Sequence, residues 1–297
     1  MAIESLPEPS IPIASSPLRP RFGFLTSTPI IAAATIFLLL IILMSILAPW
    51  IAPHDPLQLL PAQRLKPASD QFPLGTDAYG RDLLSRIIYG GRISLLIGFG
   101  ATVVSIAFGL VIGLFSGFFR WLDAILMRIM DGIMAIPAIL LAIAVVSLSG
   151  ASIMTVLIAI TIPEIPRVAR LVRSVVLSAR EEPYVEAAIS VGSGLPKIMW
   201  RHLLPNTIAP LIVQGTNFCA AAILTDAILS FLGAGISPET PTWGNIMAEG
   251  RQYFLIKPSL IFWPGLLLSI AILSVNLIGD AARDALDPRM KQREGGK

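Results

Sequence analysis

Glu182-Pro183-Tyr184-Val185-Glu186-Ala187-Ala188-Ile189-Ser190-Val191-Gly192, closing at His202-Leu203-Leu204-Pro205-Asn206, is a polar island between long apolar runs. Pro183 suits the first turn of a helix, where its missing N–H removes no bond. Glu182 and Glu186 fall near the N-terminal end, which the helix dipole favours for anions. Ala187 and Ala188 have no bulk, so a partner surface can close on them. Gly192 can take the left-handed conformation that ends a helix. Ser193 is the expected cap of a second short helix with Pro196 early in it. The stretch therefore reads as two short helices around a glycine turn, a stiff lever with an exposed acid and a flat face.

The runs on either side set the class. Hydrophobic residues make up 55 % of the 297 residues, charged residues 14 %, and the mean hydropathy is +0.77. Soluble domains are near a quarter charged, and a membrane helix needs about 20 apolar residues. Ile30–Ile51, Ile93–Phe119, Thr207–Leu232 and Leu260–Gly279 qualify. Gly132–Leu148 is slightly short. Ala151–Ile162 is shorter still and reaches full length only if it runs to Ala169 through a kink at Pro163 and Pro166. The expected fold is an all-α membrane protein with six transmembrane helices. With both termini cytoplasmic, fifteen of the 22 basic residues lie inside and seven outside, which fixes the orientation and puts the lever inside.

The organisation then reads as a disordered cytoplasmic tail at 1–28, a first span with an extracytoplasmic segment at 29–92, a core at 93–282 with its loop at about 176–205, and a cytoplasmic tail at 283–297. Within the outer segment, Leu83, Leu84, Ile87 and Ile88 predict a short amphipathic helix on the membrane surface. Gly109, Gly113 and Gly117 predict close helix packing. Trp243 and Tyr253 are candidate interface anchors. The net charge of +3 follows from residues flanking membrane segments, not from a basic patch, and gives no reason to expect nucleic acid.

Catalytic readings are poor. There is no Gly-x4-Gly-Lys-Ser/Thr phosphate loop, so the chain is not expected to bind ATP itself. The two histidines, His54 and His202, fall on opposite sides, and no cluster has metal-ligand spacing. Cys219, alone in an apolar span, reads as a small buried hydrophobe. Glu164 and Asp226 are the intramembrane acids on which an ion-coupled transporter would rest. Both are expected to make satisfied contacts at helix ends, with a water-filled cavity the alternative for Asp226. A non-transporting scaffold is the remaining alternative.

The chain resembles the C-type permease subunit of dipeptide/oligopeptide/nickel ABC importers. The likeness covers nearly everything from about Ile30 onward. It is carried by Leu74-Gly75-Thr76-Asp77 with Gly80-Arg81-Asp82 and Gly91-Arg92-Ile93-Ser94-Leu95, then by Ala169-Arg170 with Arg173. The Glu186-Ala187-Ala188, Gly192 and Arg201-His202 string with Leu204-Pro205-Asn206 follows. Leu229-Ser230-Phe231-Leu232-Gly233, Trp243-Gly244 and the closing Asn276, Gly279-Asp280, Arg283-Asp284 and Asp287-Pro288 complete it. His202 replaces the isoleucine of the general importer pattern, which narrows the group to peptide permeases. Asp226 stands where relatives often carry Glu, and no role is assigned to it.

The resemblance implies a type I ABC importer permease fold in a bacterial inner membrane and import of di- or oligopeptides, with nickel or another small solute as the alternative. It implies a homologous B-type permease, two ATPase subunits or domains that hold ATP and Mg, and an extracytoplasmic solute-binding protein. It assigns contact with the ATPase to Tyr184, Glu186, Ala187, Ala188, Gly192, His202, Leu204 and Pro205. Catalytic residues, a metal and a cofactor in this chain are not expected.

Overall fold

The computed structural model describes residues 28–286, all helix and connecting loop apart from one isolated bridge between Thr76 and Asp82. The N-terminal tail through residue 27 and the last eleven positions, 287–297, lie outside the described residues. Thr28 caps the first helix, α1 (Pro29–Ile46). The others used below are α2 (Leu83–Phe118), α3 (Arg120–Met134), α4 (Ala138–Ser149), α5 (Ile153–Thr161), α6 (Ile165–Arg180), α7 (Pro183–Ser190), α8 (Leu204–Phe231), α9 (Trp243–Gly250) and α10 (Ser259–Leu286).

Among the described residues, four helices are long and apolar enough to cross a membrane: α1, α2, the helix that ends as α8, and α10. The pair α3–α4 makes a fifth if its 86° bend is taken within one span. The sequence reads six spans, the fourth with a kink; the structure supports four or five by length and composition. The third run is broken because Pro137 serves as the N-cap of α4 and cannot continue α3. The fourth is divided into α5 and α6 at residues 162–164, where the prolines predicted a kink. Large apolar side chains such as Ile36, Phe37, Leu40, Phe99, Val103 and Phe108 point outward, as lipid-facing residues must.

The amphipathic segment at Leu83 is not a separate surface helix. It is the first two turns of α2, which runs unbroken for 36 residues and buries Leu83, Ile87 and Ile88. Asp82 caps it by accepting from the Ser85 N–H at 2.9 Å. The boundary drawn at residue 92 therefore falls inside a helix. Gly90 and Gly91 do not break it; they let α9 come close, with the Trp243 ring 2.9 Å from where a Cβ on Gly91 would sit. Trp243 is fully buried and donates from Nε1 to the Ile87 carbonyl at 3.1 Å, so it is no interface anchor. Tyr253 takes a hydrogen bond from Arg64 at 3.0 Å and stacks under its guanidinium.

That end of the bundle is clamped by charge. Arg86 is completely buried, an environment a cation tolerates only when paired. Glu249 on α9 accepts from Arg86 at 3.2 Å and also from Arg81, while Asp77 accepts from Arg81 Nε at 2.6 Å. Burial pushes the Glu249 carboxyl above its ordinary range, and the Arg86 and Arg81 cations pull it back. The Lys257 ammonium donates to the Thr76 carbonyl at 2.7 Å and to that of Lys66. The loop before α2, the start of α2 and the α9–α10 corner are thereby one rigid cap.

Through the middle, α2 packs along α6. Gly109, Gly113 and Gly117 lie against Val168, Val172 and Val176, so closely that an added Cβ would meet each valine Cβ at 2.5, 2.5 and 2.7 Å. This is the close approach the four-residue glycine spacing predicts. Glu164 pairs with Arg167, as expected of a helix-end acid. Asp226 does not follow: it is fully buried in α8, and neither carboxylate oxygen has a hydrogen-bond partner among the described residues. Cys219 is buried, as its apolar surroundings predict.

Candidate functional site: a protruding helical lever

At the end opposite the cap, α6 leaves the bundle and turns into α7. Glu182 is the N-cap, Pro183 is the first helical residue and Glu186 sits in the first turn, as the sequence indicates. The helix ends in a Schellman arrangement. The Gly192 N–H donates to the Ile189 carbonyl at 2.9 Å and the Ser193 N–H to the Ala188 carbonyl at 3.0 Å. Gly192 has φ +79°, the left-handed conformation this closure needs. Nothing lies within 4 Å of a Cβ built there, so backbone conformation rather than crowding favours glycine.

The next turn corrects one expectation. Gly194, not Ser193, occupies the N-cap of Leu195–Ile198, with Pro196 in its first turn. A π-helical turn at Met199–Leu203 then leads directly into α8. The lever is therefore a short helix hung between α6 and the root of α8.

Two sets of contacts make it stiff. Val185, Ile198 and Leu203 are buried against Val176, Ala179 and Leu211. On the other side, Asn206 donates from Nδ2 to the Tyr184 hydroxyl at 2.9 Å and to the His202 carbonyl at 2.6 Å. The Tyr184 and His202 rings lie 5.9 Å apart, tilted by 46°. The sequence assigned Tyr184 and His202 to partner contact; the structure brings them together as a brace.

The lever is also tied to the bundle by arginines. Arg173 makes a two-pronged pair with Asp123 on α3, one prong at 2.6 Å. Arg180 donates to the Phe118 carbonyl at the end of α2 at 3.0 Å and lies over the Phe118 ring. Around these groups is a cavity of about 470 Å³ lined by Arg120, Asp123, Arg173, Arg180, Glu181 and Glu186, among others.

The remaining assigned residues are spread over the outer face. Glu186, Ala187 and Pro205 are exposed; Ala188 and Leu204 are half-buried. Sequence reasoning missed the apolar residues beside them. Val191 is 87 % and Trp200 77 % exposed, and Ile189 is nearly half exposed, as is Tyr184, which the resemblance had already assigned. A tryptophan inside a polar loop was the available signal. Exposed apolar side chains are grouped here with Glu186, which makes no ion pair among the described residues, on a braced lever, the composition of a candidate protein-contact surface.

The helical bundle and its protruding lever define a membrane-embedded subunit with one exposed arm. Residues 105–292 match the family described as the binding-protein-dependent transport system inner membrane component, and residues 29–68 match the N-terminal transmembrane domain of oligopeptide transport permease C. The chain belongs to the binding-protein-dependent transport system inner membrane component family. It is 50 % identical to a probable peptide ABC transporter permease protein of Sinorhizobium fredii, over 80 % of this chain and 82 % of that one. It is 40 % identical to the dipeptide transport system permease protein of Alkalihalophilus pseudofirmus, over 96 % of both. It is also 40 % identical to the glutathione transport system permease protein of Pectobacterium atrosepticum, over 87 % of both. In structure it is similar to a chain of the inward-facing MetNI methionine ABC transporter. The TM-score is 0.51 at 22 % identity, over 69 % of this chain and 98 % of that chain, which gives the type I ABC importer permease fold.

Proposed function

We propose that this chain is one half of the membrane gate of an ATP-driven importer of di- and oligopeptides, moved by separate ATPase subunits through the α7 lever. The observation that carries this reading is the lever's combination of stiffness and exposure. It is braced by Tyr184, His202 and Asn206 and anchored by Val185 and Leu203, yet it presents Glu186, Ala187, Val191 and Trp200 outward. A braced arm transmits a rigid displacement, and its apolar surface gains from burial against a partner at roughly 25 cal/mol per Å². Peptide rather than nickel cargo is favoured by the names of the relatives.

In this reading the lever and both termini are cytoplasmic, with the charged cap outside, and α3–α4 and α5–α6 each complete a crossing to make six. A homologous B-type permease supplies the other half of the path. Two ATPase subunits or domains, which bind ATP and Mg, dock below, and a solute-binding protein docks on the cap. This chain itself performs no catalysis, holds no cofactor and contacts lipid but not nucleic acid. Glu186, Ala187, Ala188 and Gly192 set the fit to the ATPase, flanked by Leu204 and Pro205.

The test is made in the assembled complex in proteoliposomes. Glu186→Arg and Gly192→Phe are expected to lower peptide uptake and co-purification of the ATPases together, leaving the permease pair intact. Normal uptake and normal association in both variants would overturn the coupling role.

A further inference from the structure

The exposed side of α8 carries Ile208, Ile212 and Leu224, as membrane-facing surfaces do, but also a carboxamide. Asn217 lies midway between Leu204 and Phe231 and is exposed. Its side chain makes no hydrogen bond among the described residues, and neither does that of Gln214, about 60° round the helix. Asn206 and Asn217 are eleven residues apart, which on a helix is about three turns and returns nearly the same direction. Ala221 and Leu224 extend that stripe upward and are exposed too. The opposite side of α8, carrying Leu211, Gly215, Ala222, Asp226 and Leu229, is buried against the rest of the chain.

Lipid-facing surfaces elsewhere carry large apolar side chains, including Leu39, Leu40 and Leu43 on α1 and Phe99, Val103 and Phe108 on α2. A carboxamide with no partner at mid-span faces water or a polar ligand, because hydrocarbon offers it nothing. The stripe also leads somewhere. Asn206 lines a cavity of about 510 Å³ with Ser174, Ser178, Glu182 and Tyr184, at the lever end of the bundle. The stripe therefore runs from Asn217 in the middle of α8, past Pro210 and Val213, to an open pocket at its root.

Resting on the importer reading above, we infer that the Asn217–Asn206 track is this chain's wall of the transport path, with Asn217 bonding main-chain amides of the passing peptide. The chemistry fits. A neutral carboxamide both donates to a peptide carbonyl and accepts from a peptide N–H. The track from Asn206 through Leu224 carries no charge, so neither end of a zwitterionic peptide is trapped there, and the small Ala221 leaves side chains room. Such contacts are indifferent to side-chain identity, which suits a path that leaves selection to another subunit.

The test uses the whole complex, with binding protein and ATPases, in proteoliposomes on a Cys219→Ala background. Asn217→Cys, Ala221→Cys and, on the lipid face of α1, Leu40→Cys are treated with a cationic, membrane-impermeant methanethiosulfonate. The reaction at positions 217 and 221 is expected to block uptake of labelled di- and tripeptides and to be slowed by excess unlabelled peptide, while position 40 stays silent. Asn217→Leu is expected to lower uptake roughly three- to tenfold, the loss of one net hydrogen bond, with ATPase association unchanged and Asn217→Gln largely restoring it. Positions 217 and 221 as silent as position 40 in an actively importing complex would overturn the track while leaving the importer reading intact. So would uptake unchanged after their modification. No peptide uptake by the unaltered complex would overturn both.

Discussion

Replacing Gly113 with alanine tests the contact on which the position of the lever depends. A Cβ at residue 113 would stand 2.5 Å from the Val172 Cβ and 2.6 Å from the Ala169 carbonyl oxygen. Carbon atoms rest at about 3.5–4.0 Å, so α2 and α6 must part by roughly 1 Å. Neither neighbour can turn aside: one atom is backbone and the other belongs to a β-branched side chain with a stiff χ1. Overpacking of this kind costs about 1–3 kcal/mol. Removing a glycine from a helix returns about 1 kcal/mol, so a net loss near 2 kcal/mol is expected. A gap of that size also weakens the matching contacts at Gly109 and Gly117, which favours the upper part of the range. Gly132 in α3 is the control, since nothing lies within 4 Å of an added Cβ there; Gly132→Ala should gain up to about 1 kcal/mol. Thermal unfolding of the purified chain in detergent, followed by tryptophan fluorescence, gives both values. Opposite shifts are expected, with Gly113→Ala lower by roughly 4 °C. If Gly113→Ala unfolds at or above the temperature of the unaltered protein, the close α2–α6 packing is refuted.

Glu249→Ala strips Arg81 and Arg86 of a shared carboxylate and leaves the fully buried Arg86 with only Asp77, 3.6 Å away; a loss of about 3 kcal/mol is expected, and a loss below about 1 kcal/mol in the same unfolding assay would contradict the clamp. Gly192→Val forces a β-branched residue into φ +79° and should weaken ATPase co-purification, whereas Gly192→Asn, which tolerates that region, should preserve it; equal behaviour of the two would show that conformation is not the constraint. Arg173 and Asp123 are each partly exposed, so a double-mutant cycle with alanine should return a coupling of no more than about 1 kcal/mol despite the two-pronged geometry. Cys219, at 3 % exposure, should resist maleimide in folded protein and react once the protein is unfolded in detergent.

Much of this architecture can be read from residue order because bilayer chemistry simplifies the pattern. The apolar runs at Ile30 and Leu260 became α1 and α10, and the glycines at 109, 113 and 117 announced the valines they would meet. Pro183 and Gly192 bracketed α7 correctly, since a proline start and a glycine stop are local signals. Non-local causes escaped. Gly90-Gly91-Arg92 looks like an interruption, yet α2 passes through it because Trp243, 152 positions after Gly91, fills the space the glycines leave. Nothing in the residue order marks Arg86 as buried, because its partner Glu249 lies in another segment. The bracing of Tyr184 by Asn206 was equally hidden: both were picked out by pattern, but only the fold shows that they touch.

The length of α2 has a mechanical consequence. Its 36 residues rise about 54 Å, while the hydrocarbon layer is about 30 Å thick, so one unjointed shaft is much longer than the layer it crosses. Its first turns are gripped by Glu249 and Trp243, and its last carbonyl, that of Phe118, is held by Arg180 beside the lever. The shaft carries no proline and no break, and its Gly90-Gly91 pair, where a helix could kink, is pressed against Thr242 and Trp243. A tilt imposed at one end reappears at the other, so in the proposed importer cargo arriving at the cap and nucleotide turnover at the lever would address the same piece of protein.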